Sequence, residues 1–438
     1  MATVYRNAYL TIVAGIAASS DEGFLMGRRH AAGEENQVYR ATWPFPSSEP
    51  ELEHPKTSSL TSQTVTVLPL DTRGWTLQER ALSTRLLRFG LHELTWSCLS
   101  IPWACECGHR EYPSPSVFSL RSLATIEKEP GKDPYRDKET QIMHLWQNWD
   151  SIVTEYNSRQ LTQYLDKLPA VSGMAKVFES LTGSRYVAGL WVDNFVRNLC
   201  WYLPPEKREE EGENEKGVAV GQYVAPSWSW ASLGRRHSYG TVMLFAGGVG
   251  ITQAVPPDAR RFVPRAEVVE VEAVTVGKNP LGRVRDGWVK LRGVLRKGVL
   301  VVKGERPEVP VETRYSVEFK GLETVEVRVC PDTLLERFEV IGADGSKEQS
   351  VRRAREETKG DEKVSGSEVY LLLLGNFMTI NLRKVQSISL DFLVLGLSPR
   401  KGKSGVYKRI GYGYTEPIFA GQIEDYVDLA DQALVTIV

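Results

Sequence analysis

Six histidines and five cysteines in 438 residues leave little material for the commonest catalytic and metal-binding constellations. There is no Walker-type phosphate loop, no G-x-S-x-G elbow and no H-E-x-x-H pair, so no phosphate cradle, esterase nucleophile or zinc-protease site can be read from the chain. The short runs GGVG at 247–250 and GYG at 411–413 are too brief for a dinucleotide fingerprint. The histidines are scattered, and no Ser/His/Asp triad assembles from them. No apolar run approaches the ~20 residues that a bilayer-spanning helix needs, so no membrane span is expected. A formal charge of −1 supplies no electrostatic ground for nucleic acid or an anionic membrane as partner. An odd, unevenly spread set of cysteines speaks against a disulfide framework and for a reducing, cytoplasmic compartment.

What is present is the mix of a globular protein, 42% apolar and 25% charged, in a chain long enough for two or three domains. Near the start, Arg6 followed by AYLTIVAGIAA and Ser19–Ser20 imitates a secretory signal. The alternative is a buried strand over 9–14 centred on the β-branched Thr11, Ile12 and Val13, preceded by the end of a helix. The leftover cysteine favours the strand. Residues 20–64 read as a loop rich in Ser, Glu, Pro and Gly, and a strand over 64–68 leads to Pro69.

The chain is organised around residues 73–98, RGWTLQERALSTRLLRFGLHELTWSC. Its first half predicts a short helix in which Trp75, Gln78, Glu79 and Leu82 recur at i, i+3, i+4 and i+7, so that one face is half apolar and half polar. Its second half predicts strands over 86–89 and 94–98, joined by a connection containing Gly90, with Leu94, Trp96 and Cys98 to one side. Glu79 then has two readings. Thr76-Leu77-Gln78-Glu79 fits a T-x-x-E capping box, with the acid reaching back to the Thr76 amide. In the other reading, an acid beside a tryptophan does chemistry.

Downstream, Cys98, Cys105, Cys107 and His109 lie close in sequence, but C-x6-C-x-C-x-H lacks a C-x2-C knuckle and no metal is expected. Residues 140–202 are the helical part: Leu145, Trp149, Ile152 and Tyr156 form a core stripe, and a helix over 170–181 stops at Gly183. A solvated charged loop follows at 205–217. In YVAPSWSWASLGRR, residues 223–236, Trp228 and Trp230 are expected on one side of a strand, where they either close a core or stack a sugar. From 263 onward the period is two and the sequence predicts a β-rich region, interrupted by a disordered insertion near 344–366. The partition is thus 1–110, 111–204, the loop 205–217, and 218–438.

YRNAYLTIVAGIAASSDEGFL together with RGWTLQERALSTRLLRFGLHELTWSC resembles the last two blocks of the fungal heterokaryon incompatibility (HET) domain, over roughly the first quarter of the chain. The LSYxWG-like and WIDxLCINQ-like blocks that precede them in the family have no counterpart here, so an N-terminally incomplete domain is expected. The segments at 156–201 and 223–236 also resemble regions that follow HET domains. The fold this implies is α/β, a partial TIR-like HET domain, followed by a helical segment and a β-rich C-terminal domain.

HET domains in turn look related to TIR domains, where a helix bearing a W-x-x-x-E-like element sets an acid at a nicotinamide ribose. Trp75 and Glu79 have that spacing. The resemblance implies fungal self/non-self recognition ending in cell death, by NAD cleavage or by homotypic assembly. Glu79 is the implied catalytic acid, and Trp75, Arg73 and Gln78 the substrate-binding residues. NAD enters as substrate and no resident cofactor is implied. The implied partners are proteins of an incompatibility system, including a second copy of the chain. The truncated chain is also open to being inactive. The alternative is a non-catalytic interaction or carbohydrate-binding protein using its Trp-rich β region.

Overall fold

The structure is a computed structural model that describes residues 2–25, 68–90, 94–98, 104–105, 138–203, 223–233, 243–244, 260–303, 314–319, 326–332, 335–341, 347–353, 366–381, 384–398, 405–415 and 432–438. The chain divides into two compact units, Met1–Lys132 and Asp133–Val438. The strand predicted over 64–68, the loop 205–217, Cys107 and His109 lie outside the described residues, apart from Leu68.

The first unit is mixed α/β. Helix α1 (Ala2–Asn7) leads to strand β1 (Thr11–Ala14); a 3-10 turn (Pro69–Thr72) leads to helix α2 (Gly74–Leu82) and strands β2 (Arg85–Phe89), β3 (Leu94–Cys98) and β4 (Ala104–Cys105). The sheet order is β1-β2-β3-β4, with β1 parallel to β2 in the register Thr11↔Leu86 to Ala14↔Phe89 and the other pairs antiparallel. The expectation of a buried first strand is corrected. Among the described residues β1 is an edge paired on one side only, so Val13 faces the core while Ile12 is 57% and Tyr9 81% exposed. A strand needs neighbours on both sides before both its faces are covered, and β-branching alone does not supply them.

The second unit, Asp133–Val438, holds both the helical part and the β-rich part. Helix α3 (Lys138–Asn157) buries Trp149, Ile152, Val153 and Tyr156; helix α4 (Ser172–Thr182) ends at Gly183 (φ 70°), whose N–H bonds to the Glu179 carbonyl. Two hairpin strands, β5 (Tyr186–Val187) and β6 (Leu190–Trp191), precede the short helix α5 (Phe195–Asn198) and β7 (Trp201–Tyr202), which pairs with β8 (Met243–Leu244). Trp191 is the hub of this core, with ring centroids 5.2 Å from Trp149 and 5.1 Å from Tyr186.

Trp228 and Trp230 are fully buried in the same core, and they do not lie on a strand: Trp230–Ser232 is a 3-10 turn. Ser229 causes the departure. Its hydroxyl accepts from the Ala231 amide and donates to the Ala188 carbonyl, a local bond that competes with a sheet ladder. This corrects the strand expectation, and it removes these two rings from any sugar-stacking surface. The Trp230 indole donates to the Gly189 carbonyl at 3.0 Å, and Gly189 has φ +102° with no space for a side chain, because a Cβ would lie 2.7 Å from Trp230 Nε1. Gly189→Ala is therefore expected to cost about 2 kcal/mol through backbone strain and displacement of the indole, read as a lowered urea midpoint by tryptophan fluorescence.

The remaining strands are β9 (Arg260–Pro264), β10 (Glu267–Thr275), β11 (Val284–Lys303), β12 (Arg314–Glu318), β13 (Val327–Pro331), β14 (Leu335–Ile341), β15 (Lys347–Arg353), β16 (Ser367–Asn381), β17 (Lys384–Leu397), β18 (Val406–Thr415) and β19 (Gln432–Ile437). At 20 residues, β11 serves two neighbourhoods: its first part pairs with β10 and β19, its second with β12 and β16. The path β11-β12-β13-β18-β17-β16 then returns to β11, so six strands close into an antiparallel barrel. Closure leaves those strands no free edge. Alternate residues fill the interior, among them Val317, Val327, Val369, Leu371, Leu390, Phe392 and Val394.

Gly298 marks the crowded crossing in β11, where a Cβ would lie 2.4 Å from Val317 Cγ1. Hairpin β14–β15 packs Leu335 and Val351 into the same core, so part of the stretch expected as a disordered insertion is ordered strand. Its alternating apolar positions had been masked by dense charge, and residues 354–365 lie outside the described set.

Candidate functional site

Helix α2 carries the residues that the sequence singles out, and its start is not a capping box. Arg73 is the N-cap, extended at φ −85° and ψ 130°, with no side-chain cap bond. The helix begins at Gly74, two residues ahead of Thr76, whose hydroxyl turns back to the Leu70 and Arg73 carbonyls at 2.7 Å each. The capping-box reading of Glu79 is therefore overturned: with Arg73 at the N-cap, Thr76 is the third helical residue and Glu79 the sixth, so the acid is not at the position from which a side chain reaches back to the N-cap amide. At the other end, Ser83 takes the Glu79 carbonyl at 2.7 Å and lies 2.8 Å from the Thr11 hydroxyl, tying the end of α2 to β1.

The helix sorts its side chains sharply. Thr76, Leu77, Gln78, Arg80, Ala81 and Leu82 are buried, Trp75 and Glu79 are half-buried one turn apart, and Arg73 is exposed. The structure thus brings Trp75 and Glu79 together on an accessible face and turns Gln78, 2% exposed, toward the core. Burial, together with the charge of the nearby Glu79 carboxylate, pushes the phenol of Tyr5 in α1 above its ordinary range.

Behind this face lies a charged cluster that sequence reasoning missed. Asp71 receives Arg80 Nη1 on one oxygen and Arg88 Nη2, at 2.5 Å, on the other. All three are largely buried, so the carboxylate neutralises two guanidinium groups that enter the core from α2 and β2. The available signal was Arg80 and Arg88 standing in otherwise apolar runs shortly after an isolated Asp. Gly15 lies beside it: its amide donates to Phe89 O at 3.0 Å, its carbonyl accepts from the Leu70 amide, and a Cβ would sit 2.8 Å from Phe89 O. These contacts join the carboxyl ends of the parallel strands β1 and β2, the side on which open α/β sheets take ligands.

Among the described residues no group of three His, Cys, Asp or Glu side chains could hold a metal ion, and Cys98 is a half-buried thiol outside any disulfide. No described helix is long and apolar enough to cross a membrane.

Residues 1–79 match the family described as heterokaryon incompatibility protein (HET). The match ends at Glu79, so the hairpin of β2 and β3 lies beyond it. No curated protein and no solved structure matches the chain.

Proposed function

We propose that the chain acts in heterokaryon incompatibility, the fungal recognition of non-self, and that its α2 face is a nucleotide site that triggers cell death by cleaving NAD. One observation carries the reading: within the HET-matching segment, Trp75 and Glu79 share an accessible face one turn apart, and the carboxylate is not consumed by a helix terminus.

Glycosidic cleavage of NAD breaks the C1′–N bond, and its electron pair goes to the pyridinium nitrogen. The ribose passes through an oxocarbenium-like state, and water then adds at C1′ and releases a proton. A carboxylate at the ribose stabilises the developing positive charge and holds the sugar hydroxyls, which is the role of Glu79. Trp75 supplies an apolar wall that excludes competing water, and the exposed Arg73 meets the pyrophosphate. Gln78 is buried beneath that face and supports the helix. The protein works in the cytoplasm, and its partners are other incompatibility proteins, including further copies of itself.

Removing one charge-stabilising group from such a site costs about 100-fold or more in turnover. Glu79→Gln in the full chain is expected to abolish both cell killing and the fall in cellular NAD, followed by growth and by chromatographic quantitation of nicotinamide. Undiminished killing and nicotinamide release by that variant would remove Glu79 from the mechanism. Killing by the wild-type chain with constant NAD would leave homotypic assembly as its cause.

A further inference from the structure

We propose that β1 is a docking edge for a second copy of this chain: two β1 strands pair antiparallel about Ile12 and join two four-stranded sheets into one. That edge is distinct from the Trp75–Glu79 face, and pairing through it requires no NAD cleavage.

The main chain supplies the geometry. The Gly15 amide donates to the Phe89 carbonyl, and in a parallel ladder alternate residues bond to the neighbour, so Thr11 and Val13 are the residues of β1 that bond to β2. The N–H and C=O groups of Leu10 and Ile12 therefore point away from β2, and none of the described residues bonds to them there. The side chains divide in the same way. Thr11 meets Ser83 of α2 and Val13 is buried, whereas Ile12, 57% exposed, and Leu10 stand on the opposite face. Leu87 and Trp96, next along that face on β2 and β3, are only half-buried. Sheet edges are ordinarily guarded by a lysine, a proline or an inward charge, and residues 7–20 contain none of these.

A second copy fits this edge because the edge is complementary to itself. With Ile12 opposite Ile12, an antiparallel pair exchanges both main-chain bonds across a twofold axis and sets Leu10 opposite Ala14. The two Ile12 side chains then cover each other on the open face, and both α2 helices keep to the other face. Charge fixes the direction: the exposed Arg6 precedes the strand, and the exposed Asp21 and Glu22 follow it. Antiparallel pairing turns each copy's arginine toward the other's acids, while parallel pairing sets like beside like. One strand pair is a small interface, so the dimer forms reversibly, at concentrations on the order of 10 µM.

Sedimentation of the full chain should show monomer passing to dimer between about 1 and 200 µM. Ile12→Lys sets two ammonium groups opposite each other at an exposed position, so the dissociation constant should rise at least about tenfold with thermal unfolding unchanged. Directly opposed residues of such a pair have Cα atoms about 5.5 Å apart, within reach of an S–S bond. Ile12→Cys should therefore give a disulfide-linked dimer above the wild-type level under copper–phenanthroline and air, whereas Val4→Cys on α1, at a site 66% exposed, should not.

A wild-type monomer throughout the range overturns the pairing and leaves the edge to a strand of another polypeptide. A dimer that Ile12→Lys leaves intact overturns it as well. A dimer lost in Ile12→Lys, with Ile12→Cys cross-linking no more than Val4→Cys, overturns the register about Ile12. The cross-link needs only the cysteine variants, so it decides the pairing even if Ile12→Lys fails to fold.

Discussion

Asp332→Ala should destabilise the second unit by about 3–5 kcal/mol, the range for removing one partner from a fully buried ion pair. Asp332 and Arg409 are both wholly inaccessible, and the guanidinium meets the carboxylate through Nε at 3.1 and 3.3 Å and through Nη2 at 3.2 Å. The rest of the guanidinium is spent on the helical part of the same unit. Nη1 donates to the Leu199 carbonyl at 2.6 Å, Nη2 donates to the Trp201 carbonyl, and the plane lies 3.3 Å from the Trp201 ring centroid.

One cation from barrel strand β18 therefore closes the carbonyls left at the end of α5 and the start of β7, and Asp332 supplies the charge that allows it to be there. Taking the carboxylate away leaves a buried guanidinium with carbonyl partners but without its counter-charge. The double variant Asp332→Leu/Arg409→Met buries no charge and should be less destabilised than Asp332→Ala, although Leu199 and Trp201 lose their donor. Urea unfolding of the three proteins, followed by tryptophan fluorescence, measures the difference. Equal midpoints for wild type and Asp332→Ala would show that the pair does not hold the helical part to the barrel.

That linkage was beyond the reach of sequence reading, because Asp332 and Arg409 are 77 positions apart and neither stands in a recognisable motif. Local periodicity was legible. The stripe through Trp149, Ile152 and Tyr156, the left-handed stop at Gly183 and the antiparallel pairing of 85–89 with 94–98 follow from spacings of three to four, from one glycine, and from alternation. Barrel closure was not legible, since it depends on two halves of one 20-residue strand facing different partners, and nothing in a period of two says where β11 changes company.

The errors at short range have a common origin in side chains that bond to their own backbone. Ser229 turned an alternating W-S-W into a 3-10 turn, and Thr76 turned an apparent cap into the interior of a first turn. Of the candidate site, the Trp75–Glu79 pairing could be read from its four-residue spacing, whereas Tyr5 and the Asp71–Arg80–Arg88 cluster come together only through packing of separate elements.

Asp391→Asn should stabilise the protein, and by more as the pH rises. The carboxyl is fully buried on β17, where one oxygen meets the Tyr412 hydroxyl and the other makes no hydrogen bond. Burial outweighs the Tyr412 hydroxyl and the Phe377 main chain and holds the group well above the usual carboxylate range. The Cys200 thiol and the Tyr412 phenol beside it are pushed up in the same way, so ionising Asp391 would set an anion among groups that stay neutral.

A carboxyl whose pKa is raised by folding contributes its full stability below its unfolded value of about 3.9 and loses it as the pH climbs through the folded value. Each pH unit over which the native state keeps a proton that the unfolded chain has released costs about 1.4 kcal/mol. Asp150, 2.7 Å from Arg197, acts with the same sign, but burial raises it only to about 6, so its contribution is complete near that pH. Unfolding free energies of wild type and Asp391→Asn between about pH 4 and 8 therefore report Asp391, the contribution of Asp150 being common to both proteins. The wild type should fall relative to the Asn variant as the pH rises above the unfolded carboxyl value, since asparagine keeps an acceptor for Tyr412 and cannot ionise. Parallel curves across that range would mean that Asp391 is already charged in the folded state, and that the barrel wall accommodates an anion with no cation on its free oxygen.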